Sequence, residues 1–166
     1  FENSPLWRGL KEDLKNFNEE YKIETDNYSL FNDALKIPII YTKPYESFLL
    51  KTYRKNILNN KNWPNEPDGG WIDPTSYLWK INDIIRTRFV VKYIDGVSFL
   101  ANRIESQCKK CDVIHKLDLE AKDEGYYAAH LYVYFNCEIP KITWDTEFVD
   151  ISVEIQITTE LQENIV

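Results

Sequence analysis

The sequence predicts an α+β fold, a mixed β-sheet flanked by helices, and three observations carry that prediction. Leu6, Leu10, Leu14, Phe17 and Tyr21 recur at helical spacing near the start. β-Branched and aromatic runs fill the second half, at 85–93, 126–135 and 148–157. A loop at 59–74 separates the two parts and is crowded with Pro64, Pro67, Asp68-Gly69-Gly70 and Asp73-Pro74. The 166 residues suit a single domain, 1–166, with N-terminal helices at about 4–36 and a core at about 37–160.

Ser4 and Pro5 open the first helix, 4–22, with a capping residue followed by proline in the first turn. A second short helix is expected at 27–36, then an apolar, β-branched stretch from Ile37 to Tyr41. The segment 46–58 reads as a helix with Phe48, Leu49, Tyr53 and Ile57 inward. The strand at 85–93 ends at Asp95-Gly96, and a helix over 97–107 puts Val97, Leu100, Ala101 and Ile104 on one side. Residues 108–124 read as charged and irregular. In the last strand Val153, Ile155 and Ile157 alternate with Glu154, Gln156 and Thr158, so the two sets face opposite ways.

Hydrophobic residues make up 43% of the chain and aromatics 14%, which excludes a disordered chain. No apolar run is long enough for a bilayer, so no membrane partner is expected. No leader pattern follows Phe1, and the three cysteines are an odd count, which favours a reducing cytoplasm. Cys108 and Cys111 form one C-x-x-C with too few neighbouring ligands for zinc, and read as a reduced pair in a turn. A net charge of −7 argues against general nucleic-acid coating but leaves room for a local patch at Lys51, Arg54, Lys55 and Lys61.

Two carboxylates stand out, because magnesium-dependent transfer of phosphoryl-type groups requires acids on rigid elements. Asp83 opens one apolar strand, and Glu154 lies inside another, where a carboxylate is costly unless it faces solvent, a metal or a partner. Lys43, Ser47 and Lys51 are spaced to share a helical face if the helix begins that early, supplying cations and a hydroxyl for a polyphosphate. Tyr126, Tyr127, Tyr132 and Tyr134 form a tyrosine stripe, mostly sheet packing, although a tyrosine beside Gly125 can act as a platform for a base. His130 alone reads as a hydrogen-bonded structural residue.

Together these residues resemble the synthetase domain of the RelA/SpoT family, the ATP:nucleotide pyrophosphotransferases, over about Lys43 to Thr159. The family's K-x-x-x-S-x-x-x-K stretch is matched by Lys43, Ser47 and Lys51, and its D-x-x-x-x-R strand by Asp83 and Arg88. Its K-x-x-G-Y-x-x-x-H block is matched by Lys122, Gly125, Tyr126 and His130, and its E-I-Q-I run by Glu154 to Ile157. The resemblance implies a nucleotidyltransferase-like fold and transfer of the β,γ-pyrophosphate of ATP to a ribose 3′-hydroxyl. It implies that Asp83 and Glu154 hold Mg²⁺, with Glu154 also the general base. By the same resemblance, Lys43, Ser47, Lys51, Arg88 and Lys122 grip the ATP polyphosphate, and Tyr41, where the family often has arginine, stacks on adenine. Tyr126, His130 and Gln156 then line the acceptor side, with Tyr126 stacked on the acceptor base.

Departures from the family pattern narrow the resemblance. The usual G-Y-R-S-L-H reads Gly125-Tyr126-Tyr127-Ala128-Ala129-His130, Thr158 replaces an arginine, and Arg86 replaces a small residue before Arg88. With fewer cations on the acceptor side, the chain looks most like the toxic small alarmone synthetases, several of which pyrophosphorylate the tRNA 3′-CCA end. That likeness implies a toxin that blocks translation, partnered by an antitoxin protein, with Arg54, Lys55 and Arg86 contacting acceptor-stem phosphates. Two alternatives stay open: an enzyme making (p)ppGpp or (p)ppApp from a free purine nucleotide, and a degenerate module that only binds. The assembly state is not written in the sequence.

Overall fold

The computed structural model describes residues 1–32, 37–121, 126–141 and 143–163. Helix α1, Pro5–Glu24, starts where expected: the Ser4 side chain accepts the Trp7 N–H at 3.2 Å, and Pro5 takes the first turn. Leu6, Trp7, Leu10, Leu14, Phe17 and Tyr21 are all buried. Asp26 and Asn27 then adopt positive φ of 53° and 78°, a left-handed pair that Asp and Asn tolerate better than most residues. No helix follows over residues 27–32, contrary to expectation, and the rest of that expected helix falls on 33–36, outside the described residues. The reason is local: the amides of Leu30 and Phe31 donate to Asn18 Oδ1 at 2.9 and 3.4 Å, so α1 satisfies them in place of a helical ladder.

The stretch from Ile37 contributes only a two-residue strand, β1, Tyr41–Thr42. Helix α2, Tyr45–Tyr53, runs into a π-helical turn at Arg54–Leu58. No residue of either is buried, and Leu49 and Tyr53 are exposed, so the inward apolar face expected for them is corrected. The proline-rich loop is held by side chains rather than by a ladder. Asn56 exchanges bonds with both the carbonyl and the amide of Ile72, at 2.8 and 2.9 Å, and Lys80, in the short helix α3 (Tyr77–Lys80), reaches the Trp71 carbonyl at 2.8 Å.

Strand β2, Ile85–Val91, feeds helix α4, Ile94–Lys110. Asp95 and Gly96 lie in the first turn of α4 rather than in a turn before it, because Asp95 suits a helix N-terminus and accepts the Tyr21 hydroxyl at 2.8 Å. After Cys111 the chain forms β3, His115–Ala121, where an irregular segment was expected. The cysteines are free, and burial pushes the Cys108 thiol up to about 12. Strands β4, Tyr127–Pro140, and β5, Thr146–Thr159, complete the sheet before the short α5, Glu160–Glu163.

The sheet order is β1-β2-β5-β4-β3, with β2 and β5 parallel and the other neighbours antiparallel. One face carries Phe89, Val91, Leu131, Val133, Val153, Ile155 and Ile157 and is buried in one core with α1 and α4. By strand alternation the other face carries Arg86, Arg88, His130, Tyr132, Glu154 and Gln156. With α1 and α4 on the apolar face, the polar side chains of the central strands are grouped on the other. Beyond Tyr134, β4 and β5 continue without β3 as a two-stranded arm paired as far as Pro140 and Thr146. No helix among the described residues is long and apolar enough to cross a membrane.

Candidate active site

Asp83 sits two residues before β2, and the backbone fixes it there. The Lys43 amide donates to the Ile84 carbonyl at 2.7 Å, and the Ser152 hydroxyl of β5 meets Asn82 Oδ1 at 3.3 Å. Both carboxylate oxygens face ammonium groups: Lys43 Nζ lies 2.8 Å from Oδ2 and Lys51 Nζ 2.7 Å from Oδ1. Burial pushes the Asp83 carboxyl up, but bonds to the two lysines and their charges outweigh it and hold the group below its ordinary value. Lys43 lies ahead of α2 and Lys51 within it, so the two lysines converge on one carboxylate without sharing a helix; Ser47 is exposed on α2 between them.

Glu154 is 8% exposed, well inside the sheet despite its place on the polar face. Its Oε1 lies 2.8 Å from His130 Nδ1 on β4. His130 Nε2 comes within 3.3 Å of Glu120 on β3, close enough for an ion pair but without a hydrogen-bond angle. The bond to Glu154 raises the His130 pKa, against burial, with both carboxylates adding to the rise. Tyr132 stands directly across from Glu154 in the ladder. Burial, then the charges of Glu154, Asp118 and Asp83, push its phenol up to about 12. Asn82, next to Asp83, is tied to Ser152, two residues before Glu154 on β5.

Arg88 and Gln156 are neighbours in the parallel pair, and Arg88 Nε donates to Gln156 Oε1 at 2.9 Å. Gln156 Nε2 in turn donates to the Tyr126 hydroxyl at 3.2 Å. Arg86, paired in register with Glu154, lays its guanidinium over the Tyr41 ring at 4.9 Å, and its buried Nε has no hydrogen-bond partner among the described residues. Arg54 is exposed on the π-helical turn, and Lys55 beside it donates to the Lys80 carbonyl at 3.3 Å. Lys122 and Gly125 lie outside the described residues.

The described residues contain no group of three His, Cys, Asp or Glu arranged as a metal cage. A magnesium ion can be held by one or two protein carboxylates when other oxygens complete its shell. Asp83 and Glu154 supply hard oxygen donors of the kind magnesium takes, with Lys43 and Lys51 beside Asp83.

The structure matches small alarmone synthetase 1 from Bacillus subtilis with a TM-score of 0.53 at 20% identity, covering 96% of this chain and 70% of that one. The fold is that of a small alarmone synthetase. A second solved structure, smu.1046c from Streptococcus mutans UA159, gives a TM-score of 0.46 at 18% identity over 97% of this chain and 75% of that one. No family model matches the sequence, and no curated protein matches it significantly. The nucleotidyltransferase-like α+β architecture expected from the motifs is therefore the one observed.

Within this synthetase fold, sequence reasoning missed three features. Glu120 approaches His130 from β3, whose alternation of Leu117 and Leu119 with Asp118 and Glu120 was the available signal. The Arg86–Tyr41 stack depends on the register of β1 against β2, which no local pattern reports. The third is an aromatic cavity beside Lys43, formed by residues distant in sequence.

Proposed function

We propose that the chain is an ATP-dependent pyrophosphotransferase whose acceptor is the 3′-hydroxyl of the tRNA CCA end. The observations that carry this are the Asp83–Lys43–Lys51 cluster just before β2 and the Glu154–His130 pair on the polar face of the sheet, in a fold shared with an alarmone synthetase. Lys43, Ser47, Lys51, Arg88 and Lys122 bind the polyphosphate, neutralising charge that develops on the transferring group. Asp83 and Glu154 would hold Mg²⁺, which when bound offsets charge on the β- and γ-phosphoryl oxygens. Glu154 accepts the proton of the attacking hydroxyl; the new bond joins that oxygen to the β-phosphorus, and the bond to the α-phosphate bridge breaks, releasing AMP. His130 orients Glu154, while Tyr126 and Gln156 line the acceptor side and Arg54, Lys55 and Arg86 meet acceptor phosphates. A toxin of this kind requires an antitoxin partner.

The test is transfer of label from γ-labelled ATP to deacylated tRNA or to GDP, GTP or AMP. Labelled tRNA is the expected result. Label on free nucleotide alone would favour the second reading, an alarmone synthetase, for which the named Bacillus neighbour is the specific support. Glu154→Gln should lower transfer about 10²–10⁴-fold; full activity in that variant would leave a binding module as the better account.

A further inference from the structure

On the polar face the ladder sets rows of side chains across the sheet. One row runs Arg86, Glu154, Tyr132 and Lys116, from β2 through β5 and β4 to β3. The next runs Arg88, Gln156, His130 and Asp118. Arg88 bonds Gln156, His130 bonds Glu154, Lys116 bonds Asp118 at 2.8 Å, and Arg86 covers the Tyr41 ring. Tyr132 is the exception in both rows. Among the described residues it has no hydrogen bond, ion pair or ring contact.

Tyr132 is half-buried, yet its hydroxyl is not sealed off. Among the described residues, the buried polar atoms without hydrogen-bond partners belong to Asp83, Arg86, Arg103 and His130. Directly opposite residues of an antiparallel pair have Cβ atoms about 4.5–5.5 Å apart, so the Tyr132 ring stands beside the Glu154 side chain. Of the charges acting on the phenol, that of Glu154 is the largest. A phenol keeps its proton at neutral pH and offers a donor, so it cannot share the work of a base. It can donate to an anionic oxygen that a ligand brings up to Glu154. Sheet packing alone would be met equally well by phenylalanine and leaves the hydroxyl without a purpose.

We propose that Tyr132 is a further catalytic residue, its hydroxyl donating to a non-bridging oxygen of the phosphoryl group that the acceptor attacks. This rests on the proposed transfer from ATP with Glu154 as the base. A donor aimed there acts most strongly as charge develops on the transferring group, and the tyrosine keeps its proton throughout. Tyr132→Phe removes one oxygen and leaves the ring in the sheet. In the labelled-ATP assay it should lower kcat about 10²-fold with the KM for ATP unchanged. Its melting temperature should not move, because the hydroxyl has no protein partner. Calorimetric titration with α,β-methylene ATP and Mg²⁺, a nucleotide that cannot be cleaved at the bond in question, should give the affinity of the unmodified chain. Tyr134→Phe, one step further along the same face opposite Ser152, should transfer as the unmodified chain does. An undiminished kcat in Tyr132→Phe, an equal fall in Tyr134→Phe, or a fall matched by lost affinity for the analogue overturns the role of Tyr132 and leaves the transfer reading standing. Absence of transfer by the unmodified chain to any acceptor overturns both.

Discussion

Asp83 faces two ammonium groups while Glu154 is paired with a histidine, so the two acids sit in different electrostatic settings. Asp83 is the more strongly compensated, and Asp83→Asn would leave Lys43 and Lys51 facing each other without a counter-ion. That variant should lose transfer activity at least as severely as a phosphate-grip variant such as Lys51→Ala, measured with labelled ATP. His130 gives a pH prediction. Its folded pKa is raised above 6.5 by Glu154, so its contribution to stability is complete below that value and is lost as pH rises through the folded pKa. Urea denaturation between about pH 5 and 9, with a chelator present, should show this decline, and His130→Gln should flatten it. An unchanged slope in the variant would assign the decline to other groups. Most candidate residues here were legible because each carries its own chemical signature at a fixed spacing. What spacing could not supply was pairing: that His130 bonds Glu154, or that Arg86 covers Tyr41, follows from strand register.

Among the elements, α1, β2, α4, β4 and β5 were readable because each has a strong period and a buried face. The failures share a physical cause. Segment 27–32 is set by a side chain of α1, α2 leaves its apolar residues uncovered, and β3 is a partly exposed strand at the sheet edge with charged residues in alternation. Gly96 makes the start of α4 testable. A Cβ added there would come within 2.9 Å of Leu30 Cδ1 and 3.5 Å of Val91 side-chain atoms. Gly96→Ala gains about 1 kcal/mol of helix propensity but incurs an overpacking cost of about 1–3 kcal/mol, so net destabilisation is expected in thermal melts. Enlarging the space with Leu30→Ala in the same chain should recover part of the Gly96→Ala effect in a double-mutant cycle. Leu10→Ala, at a fully buried position of α1, should cost about 2–5 kcal/mol by urea denaturation.

For the molecule as a whole, the net charge of −7 and the cationic cluster at Asp83 impose different ranges of attraction. An anionic partner is repelled at long range and held only at the patch, so added salt should weaken the proposed tRNA binding through few contacts. For three single-strand phosphate contacts the slope of log affinity against log salt would be about −2, and Arg54→Ala should reduce its magnitude. The motifs gave the fold through the chemistry they imply, but the composition alone would not have placed these cations together. The strand order has a consequence for biosynthesis. β5 is the last of the described strands in sequence yet lies between β2 and β4, and it carries Glu154. A fragment that stops before β5 lacks both the proposed base and the strand that joins β2 to β4, so the two halves of the sheet have no shared neighbour until β5 inserts.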